Sequence, residues 1–147
     1  MNERGFTMIE LFVVFVLISA MVAMAIPRIA DRLTKSNVRS ARDAVATLAS
    51  TARAAAIQRG KSTTLKHSGT AVLVTSSNVV TGVLDTVGRN ATDIYSRYGG
   101  VAMTWSRDSV RYDPRGIGQE SSNTTIIFSK SGYADTLTIS SVGTILQ

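Results

Sequence analysis

The sequence has no cysteine and a single histidine, His67, among its 147 residues. Disulfides and thiolate metal sites are therefore excluded, and so is any multi-histidine metal centre. Ser and Thr are plentiful, but with one His no nucleophile–base constellation is supported, and there is no Gly-x-Ser-x-Gly elbow. Acids are few, 10 against 16 Lys and Arg, for a net charge of +6. Asp108, Asp113 and Glu120 lack the spacing of a calcium loop, and Asp135 is the only acid after Glu120. Gly116-Ile117-Gly118 suits a turn, not a phosphate cradle. The aromatics Tyr95, Tyr98, Trp105, Tyr112 and Tyr133 are expected on strand faces and in the core. No catalytic residue, metal ligand or cofactor is expected, and the chain does not read as an enzyme.

The positive charge is unevenly placed. Between Arg28 and Lys66 nine basic residues face only Asp31 and Asp43, whereas from Ser68 onward six basic and six acidic residues cancel. A basic segment of this kind suits anionic lipid head groups or acidic neighbours. Nucleic acid is not the expected partner, because charge alone is a weak sign of it.

What is abundant is a single apolar run. From Phe6 to Ile26 there are 21 residues, and only Thr7, Glu10 and Ser19 are clearly polar. As a helix this spans roughly 31 Å, enough to cross a bilayer core. Glu10 is the one charge inside it, and a carboxylate at membrane depth usually marks function. No Lys or Arg lies in the run to pair with it. Ala23-Met24-Ala25 also resembles a signal-peptidase site, which keeps an ordinary secretory signal open as an alternative. Against that, Glu3 and Glu10 accompany the lone Arg4 before Leu11, and the helical pattern continues past Ala25.

Pro27 is expected to kink this helix without ending it. Beyond it, Val38, Ala41, Val45, Leu48, Ala52 and Ala55 recur at three- and four-residue steps, a narrow stripe to pack on the chain's own C-terminal part. Asp31 with Lys35, and Arg39 with Asp43, are candidate i,i+4 pairs. The helix is expected to stop near Arg59-Gly60, with Gly60 as the left-handed cap. After Lys61 the texture is β. Strands are expected near Ser62–Lys66, Ala71–Thr75, Val79–Leu84, Val101–Trp105, Ser109–Tyr112, Thr124–Ser129, Leu137–Ser140 and Thr144–Leu146. Turns are expected at Ser68-Gly69, Ser76-Ser77-Asn78, Asp113-Pro114-Arg115-Gly116, Ser131-Gly132 and Val142-Gly143. Asp85–Gly100 reads as an irregular exposed loop. The fold class is α+β: a long N-terminal transmembrane-plus-amphipathic helix packed on a small antiparallel β-sheet or sandwich.

Arg4-Gly5-Phe6-Thr7-Met8-Ile9-Glu10-Leu11, the apolar run and Pro27 together resemble the prepilin leader and helix of type IV pilins and type II secretion pseudopilins. The resemblance implies cleavage after Gly5 by a membrane prepilin peptidase, N-methylation of the new N-terminal Phe6, a role for Glu10 in filament assembly, and a helix kink at Pro27. Gly5 offers no side chain to obstruct a protease cleft, and Glu10 of one subunit is placed to neutralise the Phe6 ammonium of another. A second stretch, Ala52-Arg53-Ala54-Ala55-Ala56-Ile57-Gln58-Arg59-Gly60-Lys61-Ser62-Thr63-Thr64-Leu65, is similar to the helix-to-strand junction of the pseudopilin H and FimT group of minor pilins. Ile127-Phe128, Gly132, Leu137-Thr138-Ile139-Ser140 and Gly143 resemble that group's closing strands.

The implied organisation is a leader at 1–5, a transmembrane helix at 6–27, an amphipathic periplasmic helix at 28–60 and a β-rich domain at 61–147. The implied place is the bacterial inner membrane, single-pass, and a filament after assembly. The implied partners are the prepilin peptidase, the other pilins or pseudopilins of the filament, the inner-membrane assembly platform and membrane lipid. The alternative is a FimT-like DNA-binding minor pilin for DNA uptake. In that kind a C-terminal Gly-Arg-x-Arg stretch contacts DNA, and the matching positions here, Gly143-Thr144-Ile145-Leu146, carry no arginine.

Overall fold

The computed structural model describes residues 6–77, 84–87 and 91–146. It divides into two compact units, the first ending at Lys35 and the second beginning at Ser36. Helix α1 runs Met8–Arg59. It ends where the sequence places the stop, for a backbone reason. Gly60 has φ +60°; its N–H donates to the Ile57 carbonyl (3.4 Å) and that of Lys61 to the Ala56 carbonyl (3.3 Å). This is the Schellman closure, which satisfies carbonyls at the helix end and needs the left-handed residue that glycine supplies.

The second unit carries nine strands and one short helix among the described residues: β1 Thr63–Ser68, β2 Ala71–Ser77, β3 Leu84–Thr86, β4 Thr92–Asp93, α2 Ile94–Arg97, β5 Ala102–Trp105, β6 Ser109–Tyr112, β7 Thr124–Lys130, β8 Tyr133–Ile139 and β9 Ile145–Leu146. They form two antiparallel sheets. One has the order β3-β2-β1-β6, with β4 also paired to β2, and the other β5-β7-β8-β9. The hairpins follow the expected turns. Gly69 at φ +60° joins β1 to β2, and Ser131-Gly132, both at positive φ, joins β7 to β8. Most expected strands lie within a few residues of the observed ones. Of Val79–Leu84, residues 79–83 fall outside the described residues, and Leu84 opens β3. Of the expected turn Ser76-Ser77-Asn78, Ser76 and Ser77 instead end β2, paired with Thr63 and with Asp85 and Leu84, and Asn78 lies outside the described residues.

Of Asp85–Gly100, residues 88–90 lie outside the described residues; the rest is mostly exposed, as expected, but is not all loop. Two short strands in it pair with β2, at Leu84–Thr86 and Thr92–Asp93. Asp93 then caps α2, accepting the Ser96 amide at 3.3 Å, and Ile94 is fully buried. That amide bond holds the Asp93 carboxyl below its usual range. Pieces of two to four residues are too short for periodicity to reveal.

The core lies where the helix meets both sheets. Val38, Ala41, Val45, Ala49, Ala52 and Ala56 of α1 are buried in one cluster with Leu65, Val72, Val74, Val110 and Tyr112 of the first sheet and Ile126, Phe128, Leu137 and Ile139 of the second. The stripe is shifted from the expected one: Ala49 is buried and Leu48 only half so. A helix backbone approaches two sheets closely only over small side chains, so the alanines take the centre and the leucine flanks it. Arg42, beside the stripe, reaches Asp135 of β8 at 3.3 Å. Asp43 bonds Arg42 at 2.9 Å, where the sequence suggested Arg39 as its partner.

The outer side of β6 is covered by the chain that follows it. Tyr112 bridges to Gly118, the Gln119 N–H donates to the Arg111 carbonyl at 2.9 Å, and Glu120 accepts the Arg111 N–H at 3.2 Å. Asp113 folds this segment back by accepting the amides of Ile117 (2.8 Å) and Arg115 (2.9 Å). The Ile117 amide is the main reason its carboxyl is held below the usual range.

Candidate functional site: the exposed N-terminal helix

Apolar side chains on the first unit are left without cover. From Met8 to Leu33 the large apolar residues described are about half exposed or more: Phe12 is 68% exposed, Phe15 60% and Met24 72%. Burying each such side chain is worth about 1.5–3 kcal/mol, so a surface of this length does not stay in water. It matches the length and composition of a membrane-crossing helix.

Between Phe6 and Ile26 the few polar side chains are satisfied within the helix. Ser19 donates its hydroxyl to the Phe15 carbonyl at 2.8 Å. At the start, Glu10 Oε2 accepts both the Thr7 N–H and the Thr7 hydroxyl at 2.9 Å, while Thr7 Oγ1 accepts the Glu10 N–H at 3.3 Å. Thr7 and Glu10 thus form a reciprocal capping box. Local satisfaction of this kind is what hydrocarbon surroundings demand of a spanning helix. The box was readable as Thr-x-x-Glu ahead of an apolar run, a signal the sequence reading overlooked in favour of the Gly5-Phe6 junction.

Of the candidate residues, Gly5 lies outside the described residues. Phe6 is 88% exposed and directly precedes the capping threonine. Glu10 is in the first turn of α1, its carboxylate on the amide of the residue after Phe6. The structure therefore brings Glu10 to the end of the helix where Phe6 sits. Pro27 falls inside α1, which continues through it to Arg59. Arg28, Arg32 and Lys35 are exposed and share a face by their i, i+4, i+7 spacing. No group of three His, Asp or Glu side chains able to hold a metal occurs among the described residues. Gly143 to Leu146 forms a turn and β9.

Three comparisons bear on this architecture. The family described as type II transport protein GspH matches residues 41–143. Among solved structures, the type IV minor pilin FimU of Pseudomonas aeruginosa is similar in two crystal forms. One has a TM-score of 0.58 at 13% identity, covering 76% of this chain and 88% of FimU. The other has a TM-score of 0.55 at 14% identity, covering 74% and 90%. At such identity the likeness speaks for the fold alone. A search of curated proteins finds no match. The family match spans most of the second unit, and the long helix on antiparallel sheets is the pilin-like α+β fold: the chain belongs to the GspH family of minor pseudopilins and minor pilins, which are subunits of filaments.

Proposed function

We propose that the chain is a minor pseudopilin or minor pilin that is trimmed after Gly5, methylated on Phe6 and built into a type II secretion pseudopilus or type IV pilus through its N-terminal helix. The observation that carries this reading is the exposed apolar stretch of α1 with one carboxylate, Glu10, fixed at its first turn. In this reading residues 1–5 are the leader, 6–27 cross the inner membrane once, and the rest of α1 with the β-rich part lies in the periplasm. Pro27 permits a bend, since its missing N–H removes one helix bond. The prepilin peptidase recognises the leader, and the assembly platform lifts the subunit out of the lipid. Cleavage turns the Phe6 amide into an ammonium, and Glu10 neutralises it on the same or a neighbouring subunit.

Intact-mass analysis of the membrane-extracted protein tests the reading. Wild type is expected to begin at Phe6 with one added methyl group, and Gly5→Ala to remain a full-length precursor, because a Cβ crowds the cleaved bond. A wild-type chain starting at any other residue overturns the leader assignment, and a start at Ile26 points instead to an ordinary signal peptide.

A further inference from the structure

The free edge of β9 borders an open groove on α1. β9 ends the order β5-β7-β8-β9, so among the described residues one of its sides has no strand neighbour. Next to β9, α1 presents Ser50, Arg53, Ala54 and Ile57 across from Gly143 and Ile145, around a space of about 320 Å³. The groove continues as a further 440 Å³ past Ala46 and Thr47, with Ile145 again on the opposite wall. Ala46, Ser50 and Ala54, four residues apart, keep the helix side low.

Register shows what β9 offers to this groove. The Ser140 N–H donates to the Thr144 carbonyl at 2.8 Å, and the next pairs are Ile139 with Ile145 and Thr138 with Leu146. Bonded and non-bonded pairs alternate in an antiparallel ladder. Ile145 is therefore at a non-bonded position, and its N–H and C=O point away from β8, toward the open edge. Neither has another partner among the described residues. Bare strand edges elsewhere in proteins are usually blunted, and here the edge of β6 is covered by its own following segment.

The third element is charge. Arg53 lines the groove beside Gly143 and makes no ion pair or hydrogen bond among the described residues, whereas Arg42 and Arg59 are both paired. Its stem lies against Gly116, and Gly118 donates to the Val142 carbonyl at 2.9 Å, so the segment after β6 stands at the Arg53 end of the groove. A chain laid along β9 toward Gly143 meets that segment next to a guanidinium.

We propose that this groove docks an extended peptide segment of a partner protein, which pairs with Ile145 as an added strand, lays an apolar side chain over Ala54 and Ile57, and sets a carboxylate on Arg53. Main-chain bonds supply the register and the pocket selects the side chain, as in other strand-addition sites. Arg53 binds the carboxylate through charge-assisted hydrogen bonds. The segment after β6 at that end favours a chain terminus, with the docked segment running antiparallel to β9.

The probe is the peptide Thr-Val-Thr-Val-Ile with a free C-terminus, titrated into the full chain in detergent micelles with ¹⁵N-labelled backbone. The expected result is saturable shifts of the Ile145 and Leu146 amides, affinity about tenfold weaker for the C-terminal amide and for Arg53→Gln, and no binding to Ser50→Trp, which fills the groove. A peptide amide ending in Asp that binds as well as the free acid assigns the carboxylate to a side chain and still supports the site. Unmoved Ile145 and Leu146 amides, or equal affinity for wild type and Arg53→Gln, overturn it. So does concentration-dependent self-association that Ser50→Trp abolishes without any peptide response, which makes a second copy the occupant. Arg53 is exposed, so Arg53→Gln stays folded even where Ser50→Trp does not. Neither measurement depends on leader cleavage.

Discussion

At the scale of single residues, the glycines separate into two kinds by what surrounds them. Gly118 has no positive φ, but an added Cβ falls against the Ser141 carbonyl oxygen, 2.6 Å from the Gly143 nitrogen and 2.8 Å from the Val142 carbonyl carbon. All three are backbone atoms, so the neighbouring segment itself has to move. Gly132 is the reverse: φ is +80° and nothing lies within 4 Å of an added Cβ. Alanine there meets only the intrinsic cost of the left-handed region, about 1–2 kcal/mol. Gly118→Ala is expected to cost more, roughly 2–4 kcal/mol, in the range of severe overpacking. Urea unfolding of the two variants checks the order, and a Gly118→Ala chain as stable as Gly132→Ala refutes the close approach of the two loops. The same contact stands at the Arg53 end of the β9 groove.

At the scale of elements, the helix and hairpins were legible because each carries a local signal. Gly60 marks the end of α1, and Gly69 and Gly132 mark turns whose left-handed backbone only small residues accept cheaply. What was not legible depends on distance in space. Leu48 was assigned to the core stripe because size and apolarity are visible in a sequence. The burial of Ala49 depends on how closely two sheets approach the helix, which is not. Likewise β3 and β4 are specified by pairing with β2, and the four-residue α2 by its Asp93 cap and the burial of Ile94, not by any periodic pattern. The candidate site is legible in the same uneven way: Glu10 stands out as the one charge in an apolar run and Phe6 only through the family resemblance, whereas the open edge of β9 follows only from strand order and register.

The shifted stripe makes a further prediction. Ala52 is fully buried against the sheets, so Ala52→Leu forces extra methylenes into a close-packed contact and is expected to destabilise by about 1–3 kcal/mol. Leu48→Ala removes a larger side chain, yet Leu48 is only half buried, so its cost should fall below the 2–5 kcal/mol of a core leucine. Thermal unfolding of both variants decides whether α1 is held by its alanines. The result is against this packing if Leu48→Ala proves the more damaging.

At the scale of the whole chain, the two units answer to different solvents. Every member of the buried cluster lies at or beyond Val38, whereas the exposed large apolar residues crowd into the stretch from Phe6 to Leu33. A filament subunit needs both: a water-soluble body, and a helix that exchanges lipid for the helices of its neighbours. In the function proposed above, this exchange would put Glu10 and the Phe6 ammonium into apolar surroundings, where a lone charge is costly and a pair less so. The capping box sharpens the test of this idea. Replacing Glu10 by Ala removes the charge and the bond to the Thr7 amide together, so a failure of Glu10→Ala has two explanations. Gln is also a capping-box residue at this position. Glu10→Gln therefore keeps an acceptor for Thr7 and removes only the charge. It is expected to insert and be cleaved after Gly5 like wild type, but to be recovered in sheared or crosslinked filaments at less than a tenth of the wild-type level. Processing is followed by the mass of the membrane-bound protein and incorporation by the filament fraction of the same cells. Normal incorporation of Glu10→Gln would mean that the carboxylate serves as a helix cap alone and that assembly does not use its charge.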